Sequence, residues 1–166
     1  PEADTVYRQL ANQLRIMRRL DFAYGDCIDD TYAEHRAILD ACFSAPTVEA
    51  VMERLERDGS DWAKAQLLAL KTKSPQTLKV ALRQLQTGAA LTDFASNMVM
   101  EYRIGARVVQ RHDFLEGIRA VIIDKDNDPK WSPATLEEVD EALLEAIFAP
   151  LPADQEWTDL DRRNRA

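Results

Sequence analysis

Large apolar residues recur along most of this chain at intervals of three and four, and strict alternation is scarce, so the pattern predicts helices rather than strands. Val6, Leu10, Leu14 and Met17 share one helix face, with Arg8, Arg15, Arg18 and Arg19 around the remainder. The pattern breaks at Gly25 within "DFAYGDCIDDTY", whose aspartates suit turns and caps. A second helix reads from about Tyr32 to Phe43. Thr47 is the expected N-cap of a third, with Val48, Val51, Met52 and Leu55 inward and Asp58-Gly59 closing it. Ser60 or Asp61 opens the next, which is expected to bury Trp62, Ala65, Leu68 and Ala69. Ser74-Pro75 restarts the chain, serine as cap and proline at the first helical position, where its missing N–H costs nothing. Leu78, Leu82 and Leu85 are the expected inner face there, and Gly88 the stop. The longest pattern runs from about Asp93 to Arg111, with Phe94, Met98, Tyr102 and Val109 as its stripe, broadened by Ile104 and Val108. Gly105 costs that helix roughly 1 kcal/mol against alanine, which a close approach by a neighbouring helix would justify.

The segment "HDFLEGIRAVIIDKDNDPKW" follows. Asp113 stands where an N-cap belongs and Glu116 completes a capping box, both carboxylates opposing the helix dipole. Ile118, Val121 and Ile122 are the expected buried face, and Asn127-Asp128-Pro129 ends the helix. The loop projects Lys125 and Lys130 beside Trp131, a set that suits a phosphate or a purine ring. Three acids interleave with these lysines, and the competing reading is a capped loop anchored by a core tryptophan. Thr135 and Glu138 form a second expected capping box, opening a helix that runs to about Phe148. "APLPADQEW" is a proline-marked ending and "TDLDRRNRA" reads as a mobile terminus.

Composition narrows the class of protein. The 166 residues are 46% hydrophobic and 30% charged, an ordinary globular balance with enough chain to bury a core. A net charge of −8 argues against the chain as a whole binding nucleic acid, because phosphate neutralisation needs surplus Lys and Arg. No run of about 18 apolar residues is present to span a bilayer, and no signal-peptide pattern opens the chain. The basic first helix suits an acidic partner or membrane surface, but an exposed helix with a solvated charged face is the simpler account. Pro1 in place of methionine points to a processed or cut terminus. Cys27 and Cys42 form neither a disulfide scaffold nor a metal motif, which favours a reducing compartment, cytoplasm by default or a mitochondrial matrix in a eukaryote.

Candidate chemistry is sparse. His35 and His112 are the available acid–base groups, and neither has a serine or cysteine at a recognisable motif spacing. Asp21, Asp26, Asp29 and Asp30 lack the spacing, central glycine and terminal glutamate of an EF-hand, so no metal site is expected. No Gly-rich phosphate loop occurs. No residue of the chain is assigned a catalytic role.

Several separated blocks carry a resemblance: "CFSAPTVEAVMERLERDGSDWAKAQLLAL", "KSPQTLKVALRQL", "MEYRIGARVVQRHDFLEGIRAVIIDKDNDPKW" and "SPATLEEV". In that order they resemble the C-terminal region of the 3-hydroxyisobutyryl-CoA hydrolase family, within the crotonase (enoyl-CoA hydratase/isomerase) superfamily. The resemblance covers roughly residues 32 to 148, leaving 1–31 as an N-terminal basic helix and turn and 149–166 as a Pro-containing flexible tail. It implies an all-α arrangement of roughly six to eight helices, with the catalytic ββα core and its thioester-oxygen-binding N–H groups absent from this chain. It further implies a lid and assembly region of an acyl-CoA thioester hydrolase, inactive by itself, that meets acyl-CoA through its own N-terminal core or neighbouring subunits. Lys125 and Lys130 are then the candidate contacts to coenzyme A, which enters as part of the substrate, with no other cofactor. An enoyl-CoA hydratase or isomerase paralogue and a non-catalytic helical interaction module are the alternatives.

Overall fold

The computed structural model describes residues 34–157, and these form helices and loops without a strand. Contacts divide the chain into two compact units, residues 1–44 and 45–166. The first basic amphipathic pattern, the Asp21–Asp30 aspartates, Cys27 and the last nine residues lie outside the described residues. In the first unit, α1 spans 34–43, carries an Arg36–Asp40 pair one turn apart at 3.8 Å, and holds Cys42 buried.

The second unit opens with α2 (Val48–Asp58), α3 (Asp61–Lys71), α4 (Pro75–Ala90) and α5 (Phe94–Val108). Every one of these begins as the sequence predicts. The side chains of Thr47, Ser60, Ser74 and Asp93 accept from backbone N–H groups three residues on, at 3.2, 3.2, 3.1 and 2.8 Å, satisfying amides the first turn leaves free. Gly59 closes α2 at φ 65°, a left-handed conformation that costs glycine nothing. Val48, Val51 and Leu55 are buried along α2, which packs on α3 and α4.

Helix faces depart from expectation farther along. In α3 the buried residue is Ala63, while Ala65, Leu68 and Ala69 are exposed, so the inner stripe is rotated from the predicted one. In α4, Val80 and Gln76 are buried and Leu85 is exposed, and the helix continues through Gly88 to Ala90. Gly88 is where helices come close: a Cβ there would lie 3.2 Å from Asn97 Oδ1 and 3.7 Å from Met100 Cε. Gly105 has no atom within 4 Å of such a Cβ, so the close approach expected at that position occurs at Gly88 instead. In α5, Met100 and Ile104 face inward, whereas Phe94 and Tyr102, and Val109 just past its end, are exposed. The even spread of apolar residues around α3 and α5 allows several inner faces, and the neighbours choose among them.

α6 (His112–Ile118) runs directly into a π-helical turn at Arg119–Ile123. The last helix, α7 (Glu141–Phe148), starts five residues later than the Thr135 cap predicts. Glu138 accepts the Ala134 N–H at 2.8 Å instead, which leaves that stretch as turns, and Asp140 caps α7 through the Leu143 N–H at 2.8 Å. This irregular approach delivers Val139 to the core, where Val80, Met100, Ile104, Leu144 and Ile147 meet. After α7, Arg107 donates to the carbonyls of Ile147, Ala149 and Pro150, Arg103 pairs with Glu156, and Trp157 stands edge-on to Tyr102.

Candidate functional site

The polar side chains of the second unit converge where α4 begins and α6 begins. Asp113 is buried and is not the cap of α6: Arg111 takes that position in extended conformation, without a side-chain bond. The Asp113 carboxylate instead accepts the Ser74 hydroxyl, the Ser132 N–H at 2.8 Å and, with the proton on Nδ1, the His112 ring at 3.1 Å. Ser74 Oγ in turn accepts the Thr77 N–H, so a single carboxylate joins the cap of α4 to α6 and to the loop after Trp131. Beside it, Arg111 donates to the buried Gln76 carboxamide. Serine, histidine and aspartate thus share one cluster, but their order is wrong for nucleophilic catalysis. A triad needs histidine between serine and acid, and here the acid stands between the other two. The cluster is a clamp. His35, the other candidate, lies in α1 of the first unit.

A second polar centre forms around Arg119, which opens the π-helical turn. Its guanidinium donates to both Glu116 oxygens (2.8 and 2.9 Å), to Asp124 (2.7 Å), to Asp126 (2.6 Å) and to the Asp128 carbonyl (3.1 Å). Glu116 also accepts the Lys130 N–H at 2.7 Å, so the expected capping glutamate serves as a strap for the loop. Trp131 closes the loop by donating to the Thr72 carbonyl at 3.1 Å, with its ring 3.6 Å from where a Gly117 Cβ would stand. The tryptophan anchor read from the sequence is therefore present. Of the two candidate lysines, Lys130 is paired with Asp128 at 2.5 Å. Lys125 is exposed, sits at φ 56°, and has no ion pair among the described residues. Asn127 is also left-handed, at φ 53°. Such backbone persists in non-glycine residues where the surroundings impose it, and the Arg119 clamp with the Asn127 N–H bond to the Ala120 carbonyl does so here. Arg119 carried no sequence signal, because its partners lie before and after it across an irregular turn.

Electrostatics follow the clamp. Hydrogen bonds from Arg119, then the Lys130 N–H, hold the Glu116 carboxyl down to about 2 from an ordinary 4.5. Arg119 also lowers Asp126, and the acids raise Arg119 further. A carboxyl with a depressed folded pKa stabilises the fold above its unfolded value, and that contribution is lost as pH falls through the folded value. The strap should therefore hold at neutral pH and release between about pH 4.5 and 2. Amide exchange at Lys130, followed by NMR as pH is lowered, should accelerate beyond the intrinsic rate across that window, and Glu116→Gln should lose protection already at neutral pH. Unchanged protection in the variant would show that Glu116 does not strap the loop.

The packing of α6 is inverted relative to expectation. Its inner positions hold Asp113, Gly117 and Ala120, small or polar residues at helical spacing, with Asp113 and Ala120 buried. Val121 and Ile122, expected inside, are exposed, as are Phe114, Leu115 and Ile123. Ile118 is half-buried. Among the described residues no group of His, Cys, Asp and Glu is arranged to hold a metal, and no helix is long and apolar enough to cross a membrane.

Comparison with known proteins places these features. A family model described as enoyl-CoA hydratase/isomerase matches residues 5–148. The human mitochondrial 3-hydroxyisobutyryl-CoA hydrolase is 47% identical over 118 residues, 71% of this chain and 30% of that protein. The Dictyostelium discoideum protein of the same name is 36% identical over 126 residues, 75% of this chain and 33% of that one. Among solved structures, a carnitinyl-CoA dehydratase from Mycobacterium thermoresistibile aligns with a TM-score of 0.67 at 36% identity, covering 73% of this chain and 34% of that one. An enoyl-CoA hydratase from Rhodobacter sphaeroides 2.4.1 aligns with a TM-score of 0.70 at 33% identity, covering 77% and 37%. The chain spans about a third of the length of the relatives it matches.

Proposed function

This chain belongs to the enoyl-CoA hydratase/isomerase family, and from that membership we propose that it is the helical lid and assembly region of an acyl-CoA thioester hydrolase of the 3-hydroxyisobutyryl-CoA hydrolase type. The observation that carries this reading is the match to the human hydrolase, 47% identical over 118 residues. In the proposed reaction water adds to the thioester carbonyl, the carbon–sulfur bond breaks, and 3-hydroxyisobutyrate and the CoA thiol leave. Negative charge develops on the carbonyl oxygen, which calls for fixed N–H donors in a dry site. The Asp113 clamp and the Arg119 clamp have their hydrogen-bonding capacity committed to loops. The reading therefore assigns the oxygen-binding groups and the acid chemistry to the remainder of the enzyme.

Lys125 and Lys130 stay as the proposed contacts to the phosphates of coenzyme A, and Lys125 is the stronger of the two. Arg119 holds both aspartates that flank Lys125, so they do not neutralise its ammonium, whereas Lys130 would have to leave Asp128.

The test is release of CoA thiol from 3-hydroxyisobutyryl-CoA by the full-length enzyme that carries these helices, alongside hydration of crotonyl-CoA. Hydrolysis of the first by that enzyme, and none by residues 1–166 alone, is the expected result. Hydration of crotonyl-CoA without thioester hydrolysis would replace this reading with that of a hydratase. That second reading draws on the two solved structures, a dehydratase and a hydratase at 36% and 33% identity.

A further inference from the structure

One face of α4 carries Lys79, Leu82, Arg83 and Gln86, spaced at one and two helical turns. Like charges one turn apart repel, so Lys79 and Arg83 on a single face call for anions opposite them. Two are supplied, from different elements. Glu49 of α2 accepts from Lys79 Nζ at 2.8 Å, and Glu141 at the start of α7 accepts from Arg83. These four groups line a cavity of about 300 Å³ between α2, α4 and α7. Its apolar wall is made by Val48 and Leu144, both buried, and by half-buried Leu82. Small-molecule sites combine apolar walls with a few convergent polar groups, and this cavity lies at the lower end of their sizes.

The charges are held but not exhausted. Lys79 also donates to the Val139 carbonyl at 3.2 Å, which leaves one of its three N–H bonds without a partner among the described residues. The Arg83 guanidinium carbon lies 5.2 Å from the centre of the Phe148 ring, a contact that steadies the group. Among the described residues only its Nη1 has a hydrogen-bond partner, so donors remain for a ligand. Gln86 donates to the Pro46 carbonyl at 3.0 Å and ties α4 to the entry of α2. Burial works against the charge of Glu49, yet hydrogen bonds from Lys79 and from its own backbone N–H outweigh it and hold the carboxyl below its ordinary range.

We infer that this cavity is a binding site for a small aliphatic α-amino acid. Lys79 and Arg83 take its carboxylate, Glu49 and Glu141 its ammonium, and Val48, Leu82 and Leu144 its side chain. Charge balance selects the ligand class. Two cations and two acids cancel, so a simple anion meets the acids and a simple cation meets the bases, whereas a zwitterion offers each group a counter-charge. The ion pairs of the free protein are exchanged for pairs to the ligand, and no partly buried charge is left bare. The site uses none of the groups assigned to the thioester reaction, so binding is read directly rather than through turnover.

The test is titration calorimetry of the full-length enzyme with L-leucine and with two analogues that each keep one charge, 4-methylpentanoate and 3-methylbutylamine. L-leucine should bind saturably, and each analogue about tenfold more weakly, because one set of charge-assisted hydrogen bonds is lost. Glycine should also bind more weakly than L-leucine, since it leaves the apolar wall uncovered. Arg83→Gln should weaken L-leucine about tenfold. Glu141→Gln should do the same, and its side chain is 66% exposed, so it tests the site even where Arg83→Gln fails to fold. Lys64→Gln on α3, outside the cavity, should leave the affinity unchanged. Equal binding of 4-methylpentanoate and L-leucine would overturn the inference in favour of a plain anion site. Undiminished affinity in folded Glu141→Gln and Arg83→Gln would place the amino acid elsewhere on the enzyme and overturn it too. Failure of L-leucine to bind the folded enzyme would reduce the four charges to a pin between helices.

Discussion

Ile147→Ala should destabilise the second unit by about 4 kcal/mol. Ile147 has no exposed surface, and it lies in the core where Val80 of α4, Met100 and Ile104 of α5, Val139 and Leu144 converge. Truncation removes the transfer free energy of the lost carbons and adds the cost of a cavity, because elements meeting from several directions cannot all collapse inward. The damage extends past the cavity. Arg107 holds the end of α7 through the Ile147, Ala149 and Pro150 carbonyls, and α7 packs on α5 through this same core. Ile147→Val removes one methylene and should cost only about 1 kcal/mol. Urea denaturation followed by circular dichroism measures both values. A loss below 1 kcal/mol for alanine would mean that α7 is not seated on α5 as described.

Asp113→Ala should cost about 3 kcal/mol, a large effect for a single polar side chain. Its carboxylate receives donors from three elements, and two of them, the Ser74 hydroxyl and the Ser132 N–H, stand in buried or half-buried surroundings. Alanine leaves both donors without an acceptor, and an unsatisfied buried donor costs the full price of its lost hydration. Ser74 would still cap α4, so the helix itself should survive while α6 and the loop after Trp131 loosen. Asp113→Asn keeps one accepting oxygen for two donors and should cost roughly half as much. Denaturation gives the totals, and amide exchange at Ser132 localises them. A fully protected Ser132 amide in the alanine variant would contradict this account.

The legible parts of the chain are those whose partners are close in sequence. Thr47, Ser60, Ser74 and Asp93 were recognisable as caps because each side chain reaches an amide three residues on, and no distant neighbour offered a better bond. Asp113 has the same chemistry in the same sequence setting. It was taken instead by Ser74, 39 positions earlier, and by Ser132. Glu138 was likewise diverted to the Ala134 N–H, which moved the start of α7. Arg119 looked like one arginine among many until the turn brought Glu116, Asp124 and Asp126 around it. Of the candidate coenzyme A contacts, Lys125 and Lys130 were visible as a pair, but only the fold distinguished the engaged Lys130 from Lys125.

The sequence by itself determined the helical class, the starts of α2 to α5, the left-handed stop at Gly59 and the relationship to acyl-CoA enzymes. These depend on short-range hydrogen bonds, backbone sterics and ordered blocks of residues, all of which act within a few positions or are carried by identity alone. The tertiary structure alone decided which face of each helix turned inward. For α6 it reversed the expected answer, because the space beside Trp131 and Ser74 accepts Gly117 and the Asp113 carboxylate but leaves the large aliphatic side chains outside. Periodicity reports that a helix has an apolar side. Which surface that side meets is set by the volume and hydrogen-bonding groups of its neighbours, and those come from distant parts of the chain.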